Sequence, residues 1–331
     1  MLGDVDGAYA AELFGVRQPG NFERGTSTLR LDRDPDDWER HHDVVRRLLQ
    51  ARSTRTRPAR DDKVVAAWNG LVIAALAEAG VILDEPRYVE AAEAAGQLLV
   101  DIHLSDEGAR LRRVSRDGVA GAPAGVLEDY ACVAEGLLVL FGSTGERRWF
   151  DEAAVLVDQI LARFGDGKGG YFDTADEAEV LFKRPQDPSD NASPSGQSVT
   201  ATVLLTLFGI TGDEAHLGSA DTLLKTLSGL AERAPRFAGQ ILAASEAMLD
   251  GPRQVAVVGP DGDESRRQLV RAAYQLAAPG VVIAQGTPAD AAADDAVPLL
   301  AHRTLVDGKA AAYVCHHFAC DLPVTSPDQV R

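Results

Sequence analysis

Hydrophobic positions in the middle of the chain recur at steps of three and four residues and reach a glycine three times. These glycines are Gly80, Gly142 and Gly209, which are 62 and 67 residues apart. Apolar residues at such steps lie on one face of an α-helix, so the pattern predicts three helical hairpins. Because glycine accepts a left-handed backbone at little cost, we expect these glycines to end the first helix of each hairpin.

Long segments join the predicted hairpins, at about residues 105–125 and 165–194. The links inside the hairpins are short, so the long loops are expected together on the opposite face. Long loops within a compact domain usually carry function. In the second loop, the aromatic segment 169–174 and the apolar segment 180–184 predict a β-hairpin over the helix ends.

Repeated hairpins stack as an open solenoid or close into a ring, and the long, asymmetric loops favour the ring. A ring of six hairpins at this period needs about 390 residues, more than this chain contains. We therefore predict a mainly α protein that forms part of an α/α toroid. Residues 38–49 are predicted to be the second half of an earlier hairpin, and 237–249 one further helix.

The pattern changes near residue 252. We predict a strand at 254–259, a helix at 264–277, a second strand at 280–284, and a last strand with an irregular end at 309–321. The chain is predicted to divide into three regions. Residues 1–60 are a lead-in with part of an earlier hairpin, 61–250 are the hairpin repeats, and 251–331 are a small α/β segment.

The net charge of −17 argues against a nucleic-acid partner and against an anionic membrane surface. No stretch is expected to approach the roughly 20 apolar residues that span a bilayer, and the N-terminus lacks the pattern of a signal peptide. Three cysteines are too few for a disulfide scaffold. A cytoplasmic protein is the resulting expectation.

Polar clusters open the first helix of each predicted hairpin, at residues 60–63, 127–130 and 193–198. Their spacing follows the repeat, so in a toroid they converge on the mouth of the central cavity. Convergent carboxylates bind sugar hydroxyls or act as general acid and base. The predicted catalytic residues are Asp61, Asp62, Glu128 and Asp129.

Each of these residues has a structural alternative, because Asp, Glu and Ser are the usual residues of a helix N-terminus. The predicted substrate-binding residues are Trp68, Asn69, Tyr130, Asp173 and Ser195. Trp68 lies on an apolar stripe, where a core position is more typical. Asn69 either bonds a backbone group or faces the cavity, and Asp173 either caps the loop or reaches the mouth.

Cysteine and histidine cluster at residues 315–320. Both are zinc ligands, but this spacing matches no standard structural site, and neighbours in a strand point to opposite faces. A buried pair of thiols is the favoured interpretation. Since no phosphate-binding or dinucleotide-binding glycine motif is present either, we expect no metal and no cofactor.

Several short motifs occur in one order over nearly the whole chain. They are Gly20–Glu23, Arg60–Lys63, Trp68–Leu71, Leu127–Ala131, Gly169–Thr174, Arg184-Pro185, Pro194–Gly196, and Ala312–Cys315 with Cys320. In these motifs the sequence resembles the C-terminal half of the thioredoxin-domain-containing proteins similar to spermatogenesis-associated protein. The resemblance implies a six-hairpin toroid like that of glycosidases and N-acylglucosamine epimerases, preceded by a thioredoxin-like domain.

The chain departs from that family pattern, since these residues contain no counterpart of the thioredoxin-like domain, its Cys-x-x-Cys type motif or the first hairpins. Thioredoxin chemistry is therefore not expected of it. Our first hypothesis is a carbohydrate-binding or carbohydrate-active toroid, isomerase-like or glycoside hydrolase-like, with a small carbohydrate ligand. The alternatives are a non-enzymatic scaffold for a redox domain or partner, and a truncated, inactive remnant. Because a half ring leaves apolar helix faces unpaired, we expect self-association or a partner that completes the toroid.

Overall fold

The computed structural model describes residues 1–105, 110–179 and 182–331. They form two compact units, Met1–Asp62 and Lys63–Arg331. The first unit contains α1 (Gly3–Leu13) and α2 (Trp38–Ser53), whose apolar residues meet in a small core around Val44. A carboxylate on α1 ties the two helices together, since Asp6 accepts hydrogen bonds from two arginines of α2.

The second unit begins with three helical hairpins. Their helices, followed by one more, are α3 (Ala66–Leu83), α4 (Pro86–Leu98), α5 (Leu127–Thr144), α6 (Arg147–Arg163), α7 (Gly196–Thr211), α8 (Glu214–Arg233) and α9 (Gly239–Asp250). Helices α3, α5, α7 and α9 pack in sequence as an inner row, and α4, α6 and α8 each pack on the preceding inner helix. The predicted partial α/α toroid is confirmed.

Two glycines let the inner helices α3 and α5 touch backbone to backbone. A Cβ atom on Gly70 would lie 2.3 Å from the carbonyl oxygen of Cys132, and one on Gly136 would lie 2.5 Å from the carbonyl oxygen of Gly70. Any larger residue would push the two helices apart. Buried leucine and aromatic side chains of α5 and α6 continue this core, with Leu137 and Trp149 among the largest.

The aligned glycines do not end the helices, so the predicted C-cap role is wrong. The left-handed residues that end α3, α5 and α7 come three or four positions later and are Asp84, Gly145 and Gly212. Gly142 and Gly209 instead lie inside their helices, where a Cβ atom would meet the C-terminal segment at 2.9 Å and 2.7 Å. The repeated glycines therefore mark close packing.

The C-terminal segment forms a four-stranded sheet with two helices. Its elements are β6 (Arg253–Val258), α10 (Glu264–Tyr274), β7 (Val281–Gly286), α11 (Pro288–Ala292), β8 (Ala311–His316) and β9 (Ala319–Cys320). The strand order is β7-β6-β8-β9, and only β6 and β7 run parallel, joined by α10. Strand β7 packs on α5 and α7. The predicted strands and helix of this segment are confirmed, and they share one compact unit with the hairpins.

Short strands flank the first hairpin, one before α3 and four between α4 and α5. They are β1 (Val64–Val65), β2 (Leu104–Ser105), β3 (Arg110–Leu111), β4 (Val114–Arg116) and β5 (Val119–Ala120). Strands β1, β4 and β5 form one antiparallel sheet, and β2 pairs with β3. The β-hairpin predicted at 169–174 and 180–184 shows no strand in its described part, only a bridge between Gly165 and Tyr171. Val180 and Leu181 lie outside the described residues.

Helix α3 is unusually apolar. Of the helices in the described ranges, it alone has the length and composition that a bilayer crossing requires. The expectation that no stretch approaches this limit was wrong. The same composition suits a helix packed against α4 and α5, so it does not decide the location of the protein.

Candidate functional site

The start of α5 is built around Asp129. Its carboxylate accepts hydrogen bonds from the amides of Val126, at 2.9 Å, and Ala67, at 3.1 Å, and so ties the beginning of α5 to that of α3. The side chain is fully buried, and burial raises its pKa despite these bonds and the guanidinium of Arg113 nearby. Asp129 therefore joins the starts of α3 and α5 from a buried position.

Three other predicted residues also have clear positions. The hydroxyl of Tyr130 accepts a hydrogen bond from the amide of Leu111 at 2.9 Å, and its ring is buried. The side-chain amide of Asn69 donates to the backbone carbonyl of Val65 at 2.9 Å, so Asn69 bonds a backbone group, which was one of its two predicted roles. Trp68 is 60% exposed, so the expectation of a core position is wrong.

Ser195 is the N-cap of α7, as the capping alternative predicted. Its hydroxyl accepts a hydrogen bond from the amide of Ser198 at 3.1 Å. Behind it, the buried carboxylate of Asp190 accepts from the Ser195 amide at 2.9 Å and from the Ser198 hydroxyl at 2.6 Å. The same carboxylate accepts from the amide of Gln240, which fixes the start of α9. These hydrogen bonds link the N-terminal end of α7 to the start of α9.

A cavity of about 340 Å³ opens at the N-terminal ends of α5 and α7, and we call it the α5–α7 cavity. It is lined by three of the predicted residues, Glu128, Asp173 and Ser195, and by further residues of the segment 185–194. Its other polar lining residues include Arg113, Thr174, Asp187, Ser189, Asn191 and Ser193. Its volume falls at the small end of the range of small-molecule sites.

Glu128 and Asp173 supply carboxyl groups of different character to this cavity. Glu128 accepts a hydrogen bond from the hydroxyl of Ser193 at 3.2 Å, and the Arg113 guanidinium lies 3.9 Å away. Burial raises the pKa of Asp173, and the negative charges of Asp187 and Glu128 raise it further, while the Asp187 amide opposes this by donating at 3.1 Å. A carboxyl group whose pKa is raised by burial, next to a second carboxyl group, is a common arrangement in acid and base catalysis.

Backbone hydrogen bonds fix the position of Asp173 relative to α5. The carbonyl of Asp173 accepts from the amide of Leu127 at 2.9 Å, and its amide donates to the carbonyl of Pro185 at 2.9 Å. Loop and helix end therefore form one framework, which keeps Asp173 and Glu128 on the same cavity wall.

Asp61 and Asp62 are exposed residues at the end of the first compact unit. The helix that they were expected to open begins later, at Ala66, after the short strand β1. Their convergence with Glu128 stays a prediction.

Sequence reasoning missed Arg113, Asp187 and Glu135. The first two lie in long loops, where the dense run of Asp and Ser at 187–190 was the available signal for Asp187. Glu135 is a carboxyl group among apolar neighbours on α5; burial, together with Glu78 of α3, raises its pKa to about 7. It is not part of the α5–α7 cavity.

The structure corrects the prediction made for the cysteine cluster. Cys315 and Cys320 form a disulfide, whereas a buried pair of thiols was predicted; Cys315 is buried and Cys320 is exposed. Throughout the described residues, no three His, Cys, Asp or Glu side chains are grouped so that they could hold a metal ion.

Comparison with known proteins supports the sequence resemblance. No family model matches the chain. Spermatogenesis-associated protein 20 from Homo sapiens is 31% identical over 300 residues, which is 87% of this chain, and the Rattus norvegicus protein is 30% identical over the same share. The chain spans only 38% of the length of either relative.

Solved structures with a partial likeness include enzymes that act on sugars. An α-mannanase from Bacteroides thetaiotaomicron has a TM-score of 0.47 and 15% identity, over 66% of this chain and 59% of its own. A cellobiose 2-epimerase from Spirochaeta thermophila has a TM-score of 0.44 and 18% identity, over 51% of this chain and 44% of its own. These likenesses concern the arrangement of helices in about half to two thirds of the chain.

Proposed function

We propose, on the premise that the chain is a homologue of spermatogenesis-associated protein 20 over 87% of its length, that the α5–α7 cavity binds a small carbohydrate. One observation carries the proposal: Glu128 and Asp173 line the same cavity, and the negative charge of Glu128 contributes to the raised pKa of Asp173. Carboxyl groups, hydroxyls and a guanidinium together offer the donors and acceptors that sugar hydroxyls need. The hydrogen bonds that fix this lining lower the entropic cost of binding.

The carboxyl pair supports proton transfer as the reaction. Glu128, whose carboxylate is held by Ser193 and Arg113, would take a proton from a carbon next to the sugar carbonyl. Asp173, whose pKa burial raises above its ordinary value, would donate a proton to the carbonyl oxygen. This is the chemistry of a sugar isomerase or epimerase, and a cavity of about 340 Å³ suits one small sugar better than a long chain.

Binding is tested by following thermal unfolding with D-mannose, D-glucose and cellobiose. A sugar at 100 times its dissociation constant should stabilise the protein by about 2.7 kcal/mol. Glu128→Gln and Asp173→Asn should lose this stabilisation while their unfolding without sugar stays near that of the wild type. Asp158→Asn, on the exposed face of α6, is the matched control and should respond like the wild type. Unchanged sugar responses in both cavity variants would exclude this cavity.

Reaction is tested separately by incubation with the same sugars in D₂O. Isomerisation or epimerisation introduces deuterium at the carbon next to the carbonyl, which NMR detects. Glu128→Gln should slow the exchange by about 10²- to 10⁴-fold, the usual contribution of a general base. Sugar binding without any exchange would restrict the proposal to a binding function.

A second candidate function belongs to a different class and rests on α3. This helix has an exposed apolar stripe in which Trp68 is 60% exposed, Val72 50% and Leu83 60%. Contiguous exposed apolar surface is typical of interaction sites. We propose that the stripe binds a second copy of this chain or the helices of a partner, which would extend the inner row of the toroid.

A further inference from the structure

The disulfide lies at the edge of the C-terminal sheet, apart from the α5–α7 cavity. Cys315 on β8 and Cys320 on β9 are directly opposite each other in the antiparallel register. The turn between them is anchored from outside, because the amide of His317 donates to the carbonyl of Pro252 at 2.9 Å and the ring of Phe318 packs against Phe208 at 5.2 Å. The hairpin therefore holds the two sulfur atoms together by itself.

A disulfide at this position contributes less to stability than one that closes a long loop. The two cysteines are only five residues apart, so the bond closes a very short loop. Restriction of the unfolded chain grows with loop length and is smallest for such loops. Backbone pairing already joins β8 and β9. Holding the two strands together is therefore a weak explanation for the disulfide.

A positively charged side chain, Arg303, lies beside the two sulfur atoms. A guanidinium nitrogen of Arg303, Nη2, lies 3.2 Å from Sγ of Cys320 and 3.9 Å from Sγ of Cys315. The same guanidinium lies over the ring of Tyr313, 4.8 Å from its centre, and its buried Nε has no hydrogen-bond partner. The described contacts of the Arg303 guanidinium are thus with the two sulfur atoms and the Tyr313 ring. Its charge is therefore available to stabilise a thiolate, which is how neighbouring cations activate cysteines.

The two sulfurs differ in access. Cys315 is 3% exposed, whereas Cys320 lies on the outer strand of the sheet and is exposed. A nucleophile from solvent therefore reaches Sγ of Cys320 first. The remaining cysteine, Cys132, is a free thiol buried in the helical core.

We propose that Cys315–Cys320 is a redox-active disulfide that exchanges with a dithiol. A thiolate of the dithiol attacks Sγ of Cys320, the S–S bond breaks, and Sγ of Cys315 leaves with the electron pair and takes up a proton. The second thiol of the reductant, after losing its proton, attacks its own sulfur in the mixed disulfide and releases the Cys320 thiolate beside Arg303. The dithiol is oxidised by two electrons to its disulfide, and the protein is reduced to a pair of thiols.

The test is a redox titration of the full chain at pH 7 with mixtures of reduced and oxidised dithiothreitol. Free thiols are alkylated at each ratio and assigned by peptide mass spectrometry, which separates Cys132 from the pair. We expect Cys315 and Cys320 to be reduced together while the circular dichroism of the protein stays native. A disulfide that yields to dithiothreitol only after the protein is unfolded in urea would overturn the proposal.

Arg303 provides the second arm. In the reduced protein, Arg303→Gln should destabilise the Cys320 thiolate, seen as an approximately tenfold lower alkylation rate by iodoacetamide at pH 7. Arg303→Lys should restore part of that rate, and Lys309→Gln, an exposed cation in the same segment, should leave it unchanged. Equal rates in wild type and Arg303→Gln would refute the activating role.

The Cys315→Ser/Cys320→Ser double variant should stay folded, and its collapse would show that the bond is structural.

Discussion

Helices α3 and α5 have the same length and equivalent places in the repeat, yet their surroundings differ. Each has 18 residues, but thirteen residues of α5 are buried and only six of α3. Helix α5 lies between α3 and α7 in the inner row, whereas α3 is the first helix of that row. The comparison teaches that an apolar sequence does not determine burial by itself, because a neighbouring helix has to cover it.

The largest expected difference between the two helices is in core stability. Leu137→Ala on α5 removes a fully buried side chain and should lower the free energy of unfolding by about 2–5 kcal/mol. Val72→Ala on α3 removes a side chain that is 50% exposed and should cost less than about 0.5 kcal/mol. Urea denaturation followed by circular dichroism measures both. Similar losses would mean that α3 is covered in solution.

The facing carboxyl groups Glu135 of α5 and Glu78 of α3 give the next largest difference. Burial and the charge of Glu78 raise the pKa of Glu135 from an ordinary 4.5 to about 7. Between these pH values the folded state holds a proton that the unfolded state has lost, so stability falls as the pH rises through this window. Glu135→Gln removes the penalty.

This variant should be more stable than the wild type at pH 8, by on the order of 1–3 kcal/mol, and nearly equal to it at pH 4. Urea denaturation at the two pH values provides the measurement. Glu78→Gln, the matched change on the exposed side, should have a smaller effect. A stability difference that does not depend on pH would disprove the titration of Glu135.

Much of the fold follows from the sequence. The period of the apolar residues located every inner and outer helix, and the change near residue 252 located the C-terminal strands. The role of Gly142 and Gly209 could not be predicted, because close packing against β7 is a contact between distant parts of the chain. For the same reason the exposure of Trp68 was missed, since it depends on which helix lies beside α3.

The candidate site was predictable only in part. Spacing placed Glu128 and Ser195 at equivalent helix ends, and both line the α5–α7 cavity. Asp129, next to Glu128, carries the same carboxyl group. Its structural role became clear only from the capping hydrogen bond that its carboxylate accepts at the start of α5. Cys315 and Cys320 were recognised as a pair, but the disulfide depends on the strand register that brings their sulfurs together.

The smallest expected effect concerns association. If the apolar stripe of α3 binds a second copy, Trp68→Gln combined with Val72→Gln should weaken self-association without changing thermal unfolding of the monomer by more than a few degrees. Sedimentation velocity over a range of concentrations measures this. Val119→Gln, which replaces another exposed apolar residue, serves as the control. A wild type that is monomeric at all concentrations would rule out self-association through α3.

Hydrogen exchange with and without a stabilising sugar distinguishes the polar cavity from the apolar stripe in one experiment. A ligand in the α5–α7 cavity should slow exchange at the amides of 173–179, 182–196 and the first turn of α5, and leave α3 beyond Trp68 unchanged. Slowing along α3 alone, or none at all at saturating sugar, would contradict a carbohydrate site at the N-terminal ends of α5 and α7.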